Sequence, residues 1–205
     1  QNVLPYFRRA EGCVYGADEY RGDEGPLTTC NGNNMKNPLY RAFIEAGRQA
    51  GYGHTEDYNG YRQEGFGRMD MTVRDGIRCS TAVAYLKPAM ARANLDVETH
   101  ALTTRVILEG RKAIGVEYRQ GGTTRRVRAR KEVILSASSF NSPKLLMLSG
   151  IGPAAQLQAQ GIPVVHDLPG VGQNLQDHLE VWVQQECTKK ITLNAWLTPL
   201  AKAWI

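Results

Sequence analysis

The sequence predicts a mixed α and β protein, between the α/β and α+β classes, on three observations. The segment "NPLYRAFIEAGRQAGY" carries Leu39, Phe43, Ile44 and Ala50 at helical spacing. From Asn94 onward the pattern changes to short β-rich runs separated by glycine turns. "VILSA", Val133 to Ala137, is a continuous apolar run, as in a parallel-sheet strand buried on both faces, and a helical stretch follows it.

In chain order, "NVLPYFRRAEG" predicts a short helix, then a polar loop through Gly25 and Pro26. The next helix has Asn37 as its cap, Pro38 at its first position, where the missing N–H costs nothing, and Gly51 as its stop. Residues 53–78, rich in Gly, Tyr and charge, predict loops and short strands. "CSTAVAYLKPAMAR" predicts a helix capped by Ser80 or Thr81, with Pro88 near its end. Strands are expected at "LDVETHA", "RVILEG", "AIGVEYRQ", "TRRVRARK" and "EVILSAS", with "QGGT" as a hairpin turn whose glycines tolerate positive φ. A helix from Ser142 and Pro143, a helix at "AAQLQAQ", and strands at "IPVVHD" and "LEVWVQQE" complete the pattern.

Gly150-x-Gly152-x-x-Ala155 has the form of a dinucleotide-binding fingerprint. That motif requires a strand running into the first glycine and a helix opening after it. Here a helix precedes Gly150, so the glycines are expected to cap it and turn the chain rather than cradle a phosphate.

The 205 residues accommodate one large domain or parts of two, and 42% hydrophobic with 22% charged residues is too apolar for disorder. No apolar run approaches the roughly 20 residues a bilayer span needs. The start resembles no signal sequence, and the absent initiator Met suggests a fragment or processed chain. Cys13, Cys30, Cys79 and Cys187 lack C-x-x-C spacing and read as free, packed thiols; no metal site is expected among them and the dispersed histidines. The net charge of +5 raises nucleic acid as a partner. Its densest source, "TTRRVRARKE", alternates arginine with Val127 and Ala129 as a half-exposed strand does, with no aromatic platform, so nucleic acid is not expected.

Taken together, "EVILSASSFNSPKLLMLSGIGP" and "GIPVVHDLPGVGQNLQDH" resemble the second signature block of the glucose–methanol–choline oxidoreductases, flavoproteins that oxidise alcohols with FAD. "VLPYFRRAE", "DEGPL", "NPLYRAFIEAGRQAGY", "NGYRQEGFG", "DGIRCSTAVAYLKPA" and "AIGVEY" resemble that family in the same order. The resemblance implies part of an FAD-binding three-layer ββα domain over 76–180, flanked by a substrate-side segment over 1–75 and the start of a sheet-based substrate domain over 181–205. It implies FAD as cofactor and a small alcohol as substrate, with choline favoured by "NGYRQEGFGRMDMTV" and "DHLEVWVQQECTKKITL".

The family's FAD fingerprint and its catalytic His lie outside the matched segments, so no catalytic residue is assigned and this fragment alone is expected to be inactive. The missing N- and C-terminal parts of the same protein are implied partners. Peripheral membrane association, self-association and a cytoplasmic location at the inner membrane surface are further expectations. For the cofactor, the resemblance assigns Thr103, through its backbone, and Ala137 with Ser138, at a turn where the family carries Ala-Gly-Ala. Ser138 in place of glycine leaves three readings open: a shifted turn, weakened nucleotide packing, or a copy that binds no FAD. Ordinary strand and turn positions are the alternative for these residues. Tyr58, Tyr61, Phe66 and Trp182 are aromatic candidates for a quaternary ammonium. A hydrolase set of Ser149, Asp177 and His178 is set aside because no nucleophile elbow surrounds the serine.

Overall fold

A computed structural model describes residues 2–31 and 36–192. The chain divides into two compact units, one of Gln1–Asp96 with Val183–Ile205 and the other of Val97–Trp182. Residues 193–205 of the expected 181–205 segment lie outside the described residues.

In the first unit, α1 (Leu4–Ala10) runs into β1 (Glu11–Cys13), which pairs in parallel with β2 (Leu27–Thr29). Helix α2 (Pro38–Gln49) opens as expected: the Asn37 side chain accepts from the Leu39 amide at 2.9 Å, and Gly51 turns the chain out with φ +88°. Gly47 sits where a Cβ would fall 2.5 Å from the Phe66 ring, so glycine alone lets that ring lie on the helix. Phe43 and Tyr52 flank the same ring at 5.2 and 5.5 Å. A hairpin of β3 (Val73–Arg74) and β4 (Ile77–Arg78) follows.

The helix expected after Cys79 begins with the Ser80 hydroxyl accepting from the Val83 amide. It continues as a π-helical turn, Ala82–Leu86, and a short α3 (Lys87–Ala89). Pro88 has no N–H to give Ala84, so regular α-helical bonding cannot run through this point.

The second unit is built on a three-stranded antiparallel sheet, β5 (Leu102–Glu109), β6 (Lys112–Gln120) and β7 (Thr123–Arg128). Gly121 and Gly122 both have positive φ, which the two-residue β6–β7 hairpin requires. Helix α4 (Ser138–Leu148) packs on the sheet beside a small parallel pair, β8 (Ile151–Gly152) and β9 (His166–Asp167), with α5 (Ala154–Ala159) between those strands in sequence. Val106, Tyr118, Leu145, Leu157 and Val171 form the core.

Several expected elements differ. "LDVETHA" is not a strand: His100 takes φ +53° and pairing begins at Leu102. "IPVVHD" contributes only its last two residues to a ladder. "VILSA" and "LEVWVQQE" have no strand partner among the described residues, and Ile134 and Leu179 stand 75% and 98% exposed. An apolar run becomes a strand only where a neighbour takes up its N–H and C=O groups. Helix α4 starts at Ser138, four residues before the expected cap, leaving Pro143 inside it. The Ser142 hydroxyl reaches back to accept from the Ala137 amide at 3.0 Å, so Ser142 closes the helix start from within. Strand β7 is exposed along its whole length rather than on one face.

Candidate cofactor site

Gly150 has φ +84° and donates to the Met147 carbonyl at 2.9 Å, ending α4. Its own carbonyl accepts from Val165 and His166, and the Gly152 carbonyl accepts from Leu168. The glycines of Gly150-x-Gly152-x-x-Ala155 are thus consumed in a helix cap and the β8–β9 pairing. No strand–glycine–helix phosphate cradle is formed there, as the order of elements in the sequence predicts.

Thr103 is half-buried on β5, opposite Tyr118, and the strand register shifts between Thr103 and Arg105. Such a bulge redirects backbone groups at a sheet margin. The Thr104 hydroxyl fixes the bulge by donating to the Glu117 carbonyl at 3.1 Å. Ala137 is the residue before α4, and Ser138, its first residue, has φ +72°. This left-handed conformation suits glycine and costs another L-residue on the order of 1–2 kcal/mol. At the turn from the extended run into α4, Ser138 thus holds a glycine-like geometry.

Beside that turn opens a groove of 590 Å³ lined by Ser139, Phe140, Pro143, Lys144 and Met147 on α4 and by residues 172–176 of the following loop. Its walls mix apolar Phe140, Pro143, Met147 and Leu175 with polar Ser139, Lys144, Gln173, Asn174 and Gln176. Sequence reasoning singled out Ala137 and Ser138 but missed the loop, whose signal was the glycine turn in "PGVGQN". Helix α4 is fixed to the sheet at its other end: the buried Ser149 hydroxyl accepts from the Val106 amide at 2.8 Å and donates to the Leu145 carbonyl at 2.6 Å.

Thr103 at a strand margin and Ala137–Ser138 at a tight left-handed turn are the positions that the resemblance assigns to FAD. No phosphate-binding glycine loop accompanies them among the described residues.

The hydrolase set fails on geometry as well as motif, because the Ser149 proton is committed to a backbone carbonyl. His178 is fully exposed beside Asp177 at 3.2 Å. The Asp177 carboxyl lies below its ordinary pKa because it accepts first from the His178 amide and then from its ring. The aromatic candidates have separate surroundings. Phe66 packs on Gly47, the Tyr58 hydroxyl accepts from the Asp70 amide, Tyr61 lies 6.2 Å from Tyr20, and Trp182 is exposed.

One cluster had no sequence signal. Arg21, 5% exposed, donates to Glu11, Asp57 and Asp70, with ion-pair distances of 2.6, 2.8 and 2.8 Å. Burial works against its charge, but hydrogen bonds to Glu11, Asp70 and Asp57 outweigh burial and raise its pKa. The guanidinium fork ties β1 to the loop containing Asp57 and Asp70.

Comparison with known proteins gives this geometry a context. The chain is 58% identical over its whole length to an oxygen-dependent choline dehydrogenase of Photobacterium profundum, covering 36% of that protein. It is 56% identical to the mitochondrial choline dehydrogenase of Homo sapiens, again over the whole chain and 34% of the relative. The chain thus spans about a third of the length of these curated relatives. Among solved structures, an FAD-dependent oxidoreductase from Chaetomium thermophilum superposes with a TM-score of 0.74 at 30% identity, covering 85% of this chain and 33% of that one. A pyridoxine 4-oxidase from "Mesorbium loti" gives 0.72 at 33% identity, covering 82% and 33%. Residues 1–180 match the family described as GMC oxidoreductase, whose cofactor is FAD, and the chain belongs to that family.

Proposed function

We propose that this chain is the central portion of an FAD-dependent choline dehydrogenase, which oxidises choline to betaine aldehyde. The observation that carries the reading is 56–58% identity over the whole chain to proteins named for that activity. FAD supplies the hydride acceptor, the step that side chains cannot perform. In this chain the Thr103 backbone would contact the adenine and the Ala137–Ser138 turn would lie close to the nucleotide, and the Val106–Ser149 bond keeps α4 and the sheet in register. The base that takes the hydroxyl proton is supplied by another part of the protein.

The proposed location is the cytoplasm, with the enzyme at the inner membrane surface; no described helix is long and apolar enough to cross a membrane. The test is anaerobic mixing of the full-length protein with choline and with unrelated primary alcohols, reading the loss of flavin absorbance. Bleaching by choline at low concentration is expected. Bleaching only by long or aromatic alcohols assigns the chain to a relative with another substrate. A purified full-length protein without bound flavin overturns the reading in favour of a non-catalytic remnant.

A further inference from the structure

The charge of the molecule is distributed unevenly. Residues 105–131, which contain the β6 and β7 strands and most of β5, hold nine basic and two acidic side chains, a net +7 against +5 for the whole chain. All of the positive excess therefore lies on this three-stranded sheet, its β5–β6 turn and the residues just after β7, and the remainder is slightly acidic. Glu117 pairs with Arg105 and Arg126 at 3.0 Å, and Glu109 with Arg128 at 3.4 Å. These two carboxylates leave Arg119, Arg125, Arg130 and Lys131 exposed and without an ion pair among the described residues.

Every residue of β7 is exposed, so its cations stand clear of the packed core. Arg125, Arg126 and Arg128 stand on β7, and Arg130 and Lys131 follow directly after it. Val127 and Ile134 are exposed in and beside this row at 51% and 75%, and no aromatic ring lies in 124–134.

We infer that this sheet and the segment just after it, led by Arg125, Arg130 and Lys131, dock on a membrane surface of acidic phospholipids. Charge complementarity is the argument: a line of guanidinium groups with isolated apolar neighbours matches a plane of lipid phosphates, which requires no sequence-specific register. Single-stranded nucleic acid, the other polyanion, calls for stacking rings that this surface lacks. The inference gives a surface to the membrane location proposed above and rests on that part of the reading alone.

The test is co-sedimentation of the full-length protein with phosphatidylcholine vesicles and with vesicles carrying about one-third phosphatidylserine. The variant is Arg125→Glu, Arg130→Glu and Lys131→Glu together; a control reverses Lys36, Arg41 and Arg92, which are exposed in the other unit. Binding only to the acidic vesicles, weakened by salt, is expected. At about fivefold per cation, the sheet variant should lose at least about a hundredfold in affinity while the control loses much less.

Equal binding to neutral vesicles, equal loss in both variants, or tighter binding to a duplex oligonucleotide than to acidic vesicles overturns the inference. Choline turnover and vesicle binding of the unsubstituted full-length protein separate the two readings. Vesicle binding without turnover removes only the enzymatic proposal, and turnover without vesicle binding removes only this one.

Discussion

The Val106 amide donates to the Ser149 hydroxyl at 2.8 Å across 43 residues of sequence, and both residues are buried. The same hydroxyl donates to Leu145, so one side chain closes the last turn of α4 and binds it to the middle of β5. Ser149→Ala leaves the Val106 N–H without a partner in the core. The expected loss is about 1–3 kcal/mol, read by denaturant unfolding. An unchanged unfolding midpoint would mean that the bond contributes no net stability.

Arg21 predicts a larger loss. Truncation to Ala leaves Glu11, Asp57 and Asp70 converging with no cation between them. Breaking a buried ion-pair set from one side typically costs about 3–5 kcal/mol. Arg21→Lys keeps the charge but not the fork that serves three carboxylates, and is expected to recover only part of the loss. Because protonation relieves the repulsion among the stranded carboxylates, the deficit of Arg21→Ala should shrink as pH falls. A deficit that grows on acidification contradicts this account.

The contrast between Arg21 and Asn37 marks what the sequence could reveal. The Asn37 cap, Pro38 and Gly51 lie within one helix length, so local geometry alone determines their roles, as it does for the Gly121–Gly122 turn. The partners of Arg21 lie 10, 36 and 49 residues away, and no local pattern announces them. "VILSA" reads as a buried strand because its side chains have the right composition, yet pairing depends on a neighbour that composition cannot specify. At the candidate site, Ala137 and Ser138 were singled out through the order of the motifs. The groove beside them is formed only when residues 172–176 fold against α4.

Glu117 makes stability depend on pH. Hydrogen bonds from Arg105 and then Arg126 lower its pKa to about 2, against an ordinary value of 4.5. A carboxyl with a depressed folded-state pKa contributes stability that is complete above its unfolded value and lost as pH falls through the folded one. The contribution should therefore fade between about pH 4.5 and pH 2. Thermal unfolding of Glu117→Gln across that window is expected to lack this increment, and added salt should reduce it in the parent. Parallel acid profiles for the two proteins would remove Glu117 as the cause.

The exposed run around Leu179, Val181, Trp182 and Val183 predicts association of the 205-residue chain on its own. Contiguous apolar side chains without a partner strand are a template for contact between copies. Sedimentation velocity should show mass rising with concentration, and Leu179→Lys with Val181→Lys should reduce that rise. A monomer at all concentrations would show that this run is tolerated in water.

Ser138 offers a test of the cofactor site with separate readouts for strain and binding. Its φ of +72° is a glycine conformation, so Ser138→Gly removes the steric cost of the side chain. Glycine's greater freedom in the unfolded chain offsets part of that gain, leaving a net stabilisation of about 0.5–1 kcal/mol. Ser138→Val keeps the demand for positive φ with a β-branched side chain and should destabilise by about 1–2 kcal/mol more than serine does. If the turn meets the cofactor, flavin release from the full-length protein, followed by fluorescence, should be slower for Ser138→Gly and faster for Ser138→Val. Stability changes of these signs with identical flavin release in all three proteins would show that the turn is strained but lies away from FAD.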